Sequence, residues 1–117
     1  MATGQPSRGP HRAKRAKTAA RAFLSGYLAW LRGRGTARRI GPAAPELIRE
    51  LRRRPPRVTP AMQDARTRIV RLRIGSMTRA SARAVATLKD SAGPPYRLLV
   101  YLERRHHRWL ITRIGDA

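Results

Sequence analysis

The spacing of apolar residues changes at Arg66, and that change restricts the fold more than any other feature of the chain. Before it, Ala16, Ala20, Phe23, Leu24, Tyr27, Leu28 and Leu31 recur every three or four residues, which marks one face of a helix. After it, the period is two. Val70, Leu72 and Ile74 alternate with Arg71 and Arg73, as in a strand with one buried face. Ala80, Ala82, Ala84, Ala86 and Leu88 form a second alternating set. Leu98, Val100 and Leu102 form a third, and Trp109–Ile114 a fourth. Helices followed by a run of strands with short links argue an α+β domain built on an antiparallel meander.

The breakers place the boundaries. The first helix is expected over about 14–32, ended by Gly33 and Gly35. Thr36 opens a short turn through Ile40, and Gly41-Pro42 breaks it. Pro45 opens a second helix, with Leu47, Ile48 and Leu51 on one side, and Pro55-Pro56 stops it. Thr59-Pro60 starts another turn or short helix through Ala65. Residues 1–12 carry Gly, Pro, Ser and charge without periodicity and read as a disordered basic arm, leaving 13–117 as one domain. The expected architecture is a long N-terminal helix and one or two short helices on a curved four-stranded antiparallel sheet.

Charge bounds the partners. The chain has 117 residues, 27 basic and 6 acidic, for a net charge of +21. No acid precedes Glu46. A surface of this kind attracts nucleic acid, an anionic membrane surface or an acidic protein surface. Only three of the basic residues are lysine. Arginine suits phosphate recognition, but a GC-rich coding bias gives the same ratio, so the excess over acids carries the argument. The absence of cysteine removes disulfides, zinc–thiolate sites and cysteine nucleophiles. No apolar run approaches the ~20 residues that span a bilayer. As written the chain reads as cytoplasmic; a fragment lacking an N-terminal anchor would belong to the cell envelope.

Three stretches are similar to the nuclear-transport-factor-2-like (SnoaL-like) cone family. They are the opening helix Ala20-Arg-Ala-Phe-Leu-Ser-Gly-Tyr-Leu-Ala-Trp-Leu31, the strand Tyr96-Arg-Leu-Leu-Val-Tyr-Leu102 and the closing strand Arg108-Trp-Leu-Ile-Thr-Arg-Ile114. The resemblance covers roughly residues 18–115. It implies a cone-like fold and, through small actinobacterial members, a non-catalytic scaffold or assembly domain of a conjugation or secretion-type complex. Members of that group usually carry a membrane helix before the cone, whereas the segment here is basic.

The candidate residues follow. Arg12, Lys14, Arg15 and Lys17 with Arg21 form the sharpest basic cluster, and cations at a helix N-terminus oppose the macrodipole, which argues for binding. A solvated tail is the ordinary alternative. Arg71, Arg73, Arg83 and Arg97 would line the polar face of the sheet, a second basic surface that lacks the interleaved aromatics base stacking needs. Tyr27, Trp30, Tyr101 and Trp109 would line a cavity at the open end of a cone or simply form the core. An isomerase-like cone needs a pocket carboxylate as base. Glu46 and Glu50 read as surface pairs, Glu103 lies opposite the apolar face of its strand, and Asp64 is unplaced, so no catalytic residue is expected. His106-His107 occupies a turn and is read as solvated rather than as a metal site. No cofactor, metal or small-molecule substrate is expected, and a homo-oligomer is compatible with the sequence. The alternative to the scaffold is a small basic protein binding nucleic acid non-specifically through phosphate contacts.

Overall fold

A computed structural model describes residues 5–34, 40–55, 66–91 and 93–116. The expected turns before Ile40 and over Thr59–Ala65 lie outside the described residues. The chain folds as α1 (Gln5–Leu31), α2 (Pro45–Arg53), β1 (Arg68–Met77), β2 (Ser81–Lys89), β3 (Tyr96–Arg105) and β4 (Arg108–Asp116). The four strands pair antiparallel in the order β1-β2-β3-β4, and the sheet is open, not closed into a barrel.

The helix α1 begins at Gln5, nine residues before the start read from periodicity, so its first turns occupy residues expected in the arm. Pro6 sits in the first turn, where a missing N–H costs nothing. Hydrophobic periodicity begins only at Ala16 because that is where the helix meets the sheet. Ala16, Ala20, Phe23 and Leu24 are fully buried. Tyr27 is nearly so, and burial pushes its phenol above the ordinary value of 10.0, with Tyr96 adding to the rise. Phe23 stacks on Tyr27 at 5.7 Å between ring centroids, and Trp30 continues the row at 6.1 Å from Tyr27. Below the helix, β2 presents Ala82, Ala84, Ala86 and Leu88. The alanines leave room under α1, and its large side chains join them, Val100, Leu102, Trp109 and Ile111 in one cluster.

A short crossing strap completes the core. Ile40 and Ala44 are buried. Ile111 donates its N–H to Pro42 O and Ala44 donates to Ile111 O, each at 2.8 Å. The strap therefore satisfies Ile111 on the outer edge of β4. Gly41 passes so close to α1 that a Cβ there would lie 3.0 Å from the Phe23 Cα and N. Next in the chain, α2 buries Leu47 and Leu51, and Arg105 from the β3–β4 end donates to the Glu46 carboxylate at its first turn. That bond, aided by the backbone N–H and by Arg49, holds the Glu46 carboxyl down at about 2.

The sheet departs from simple alternation at three places. Ile69 pairs with Leu88 and Arg71 with Thr87, leaving Val70 as an extra residue. Val70, expected on the buried face, is 55% exposed, and Ile69 packs inward instead. The register shifts again between Ile74 and Ser76, and on β4 at Thr112, between the partners of Tyr101 and Leu102. Bulges of this kind add one residue and bend the strand.

Two outcomes follow from this packing. Phe23→Ala is expected to lose about 3–5 kcal/mol in denaturant melts. Gly41→Ala is expected to lose about 1–3 kcal/mol although Gly41 is at the surface, because the strap must lift from α1. Glu46 is depressed below its ordinary 4.5, so its contribution is complete above pH 4.5 and is lost as pH falls through that value towards 2. Melts of Glu46→Gln between neutral pH and that range should show a shallower acid decline than the parent. The change should be small, since both partners are solvent-exposed.

Candidate functional site

The inner face of the sheet is filled by α1, so the outer face is the one available. Register assembles it row by row. One row is Arg71–Thr87–Arg97, across β1, β2 and β3. The next is Arg73–Val85–Leu99–Gly115. The third is Arg83–Tyr101–Arg113, across β2, β3 and β4. Arg68 and Lys89 pair at one end of the β1–β2 ladder. Strands lie ~4.8 Å apart and same-face residues ~6.8 Å apart along a strand, so this is a dense grid of cations. A neutral residue separates the arginines in the first and third rows, which lowers their repulsion without neutralising them. Glu103 shares this face and is engaged by Arg105 at 3.3 Å. The four sheet arginines expected from sequence, Arg71, Arg73, Arg83 and Arg97, are all exposed on this one surface.

Sequence reading missed Arg113. Counting alternately from Trp109 and Ile111 sends it inward. The extra residue Thr112 reverses the phase, and Thr112 Oγ1 donates to Tyr101 O at 3.3 Å. Arg113 then lies outward, its guanidinium carbon 4.3 Å from the Tyr101 ring centroid. The hydrogen bond from Arg113, followed by its charge and the smaller influence of Arg83, draws the Tyr101 phenol below its ordinary 10.0.

The four aromatics do not line one cavity. Tyr27 and Trp109 are buried, and Trp30 packs against the same inner core. Tyr101 stands on the opposite face of the sheet, among the arginines. The outer face therefore does carry an aromatic side chain, contrary to the expectation that it has none. A groove of about 390 Å³ opens beside this tyrosine, bordered by Ser76, Met77, Arg83 and Thr112.

The helix cluster is divided. Lys14, Lys17 and Arg21 follow one another at three- and four-residue spacing and are exposed, so they share a stripe that points away from the sheet. Arg12 is half-buried and Arg15, though exposed, lies about 100° round from Lys14. Beyond Arg21 the stripe reaches a second groove of about 280 Å³ that also includes Arg32, Arg34 and Arg68. Arg32 is committed there, donating to Thr67 O at 2.7 Å. The helix stripe and the sheet face thus come together at Arg68, which borders both.

The acids offer no catalytic arrangement among the described residues. Asp90 accepts from Thr67 Oγ1 at 2.6 Å, Glu46 and Glu103 bind Arg105, and Glu50 is exposed on α2. Asp64 lies outside the described residues. No cluster of metal-ligating side chains occurs among them, and no described helix is long and apolar enough to cross a membrane. His106 and His107 form the two-residue β3–β4 turn with φ of 51° and 65°, and both are exposed.

No family model, curated protein or solved structure matches the chain. The likeness to the cone family rests on the three stretches quoted for it.

The histidine turn yields a direct test. Positive φ at both positions favours Asn-Gly. The double change His106→Asn, His107→Gly should stabilise the protein by about 1 kcal/mol, read as a higher thermal midpoint. An unchanged or lower midpoint would show that the two histidines carry no backbone strain at this turn.

Proposed function

We propose that this chain is a non-catalytic protein that binds nucleic acid through phosphate contacts on the outer face of its sheet. The observation that carries the reading is the grid of Arg71, Arg73, Arg83, Arg97 and Arg113, on a face where Glu103 is the one described carboxylate and already has a partner. Planar guanidinium groups bind phosphate in a bidentate way. Contacts of this type carry no sequence information, so the binding is non-specific. The exposed stripe Lys14, Lys17 and Arg21, which runs towards Arg68, adds long-range attraction.

A second reading, favoured by the long helix across a sheet bent by three bulges, is a cone-like scaffold of the nuclear-transport-factor-2-like type, working in a conjugation or secretion-type assembly. In that reading the filled inner face serves stability, and the basic surfaces dock an acidic protein partner.

Salt titration separates the two. Replacing Arg71, Arg73, Arg83 and Arg97 with glutamine is expected to leave the fold intact. The slope of log affinity against log salt for a fluorescent oligonucleotide should shrink by about 3, at roughly 0.7–0.9 per phosphate contact. Replacing Arg12, Lys14, Arg15 and Lys17, an equal loss of charge, should change the slope far less. Equal losses from the two variants would mean that net charge alone is acting, and the scaffold reading would then be preferred.

A further inference from the structure

We propose that the outer face is built for single-stranded rather than duplex nucleic acid, with Tyr101 as the stacking surface for one unpaired base. This rests on the phosphate-binding reading and adds the substrate class to it.

Phosphate contacts alone need only cations at the surface. The outer face has more than cations. Tyr101 lies on β3, an interior strand, midway between Arg83 and Arg113 in its row. The adjoining row places Val85 and Leu99 beside it, both part-exposed. The same row ends at Gly115, where no atom lies within 4 Å of a would-be Cβ. The result is an apolar and aromatic strip, open to solvent and framed by arginines on both sides. In a duplex the base faces are stacked on one another and cannot reach such a strip. In a single strand they are free, and every base has a π-face to offer. The phosphates flanking an unpaired base then fall towards the surrounding guanidinium groups.

Arg113 fits this arrangement. Its guanidinium lies over one face of the Tyr101 ring at 4.3 Å, so a base stacks on the outer plane of that guanidinium or displaces it to reach the ring. The groove of about 390 Å³ next to the ring provides depth on one side, with the Ser76 and Thr112 hydroxyls in its wall as polar partners for a base edge. The Thr112 bulge makes the whole arrangement, because it turns Arg113 towards Tyr101.

The test compares Tyr101→Ala and Tyr101→Phe on two probes of equal length, a labelled oligothymidine and a mixed-sequence duplex. The full chain is used at one salt concentration, and circular dichroism and thermal melts check the fold. Tyr101→Ala should weaken the single strand by about 5- to 150-fold and move the duplex less than about twofold, within the scatter of ordinary surface substitutions. Tyr101→Phe, which keeps the ring, should stay near the parent on both probes. On the parent protein, an oligonucleotide carrying 2-aminopurine should change its emission on binding, and that change should vanish with Tyr101→Ala. Equal loss on both probes, no loss on the single strand, or a phenylalanine variant as weak as the alanine variant would overturn the proposal. Should Tyr101→Ala fail to fold, an unchanged 2-aminopurine signal on the parent would overturn it and a changed signal lost in Tyr101→Leu would support it. Arginine neutralisation on the sheet that weakens both probes while Tyr101→Ala discriminates neither would overturn stacking and leave phosphate binding standing. Arginine neutralisation without effect on either probe would remove the phosphate reading itself.

Discussion

Everything else in this molecule depends on the seam between α1 and the inner face of the sheet. Ala16, Ala20, Phe23, Leu24 and Tyr27 on the helix meet a sheet whose second strand carries three alanines. Small residues below and aromatic ones above give interdigitation at close range. This burial has to offset the mutual repulsion of a chain with net charge +21. It does so by segregation: no charged side chain is buried among the described residues. The same segregation decides which surface is free to act, since a sheet covered on one side has only one side left.

The free side shows how a crowded set of like charges is made tolerable. Thr87 stands between Arg71 and Arg97, and Tyr101 between Arg83 and Arg113. The neutral partner in each row sets the arginine backbones about two strand spacings apart, near 10 Å. That distance is close to the screening length at moderate ionic strength. Repulsion within the empty face is therefore weak in salt, while an approaching polyanion is in contact range of several arginines at once. Tyr101 contributes differently. Its ring takes up Arg113, and its depressed phenol reports the donors around it.

Much of the fold was legible from spacing alone. The switch of period at Arg66 located the helix-to-sheet boundary, and the alternation from Ala80 to Leu88 gave the buried face of β2 from Ala82 onward, Ala80 itself being exposed before the strand; β2 pairs with β3 without a shift. Pro45 marked the first residue of α2. One cause of the misses is the bulge. A bulge inserts a residue without any composition signal, and every position after it changes face. Val70 was misassigned for that reason and Arg113 was left out of the basic surface, whereas Tyr101 lies outward by plain alternation with Val100 and Leu102 and was misread as cavity lining. The start of α1 was illegible for another reason. Helical periodicity reports contact with a core, and the first fully buried residue of α1 is Ala16. The basic cluster at Arg12–Arg21 was legible as charge, but its division over the helix surface required the helix phase.

The sheet ends differently on its two sides. On β4, the strap from Pro42 to Ala44 occupies the hydrogen-bonding groups of Ile111. On β1, no further strand pairs among the described residues. A bare edge is ordinarily an invitation for another chain to add itself. Here the strand is broken by register shifts after Ile69 and after Ile74, so a straight partner cannot keep a continuous ladder along it. A second copy approaching this edge would also bring its own Arg68, Arg71 and Arg73 against the first. The register shifts that bend β1 thus also guard this margin of the described sheet against self-propagation.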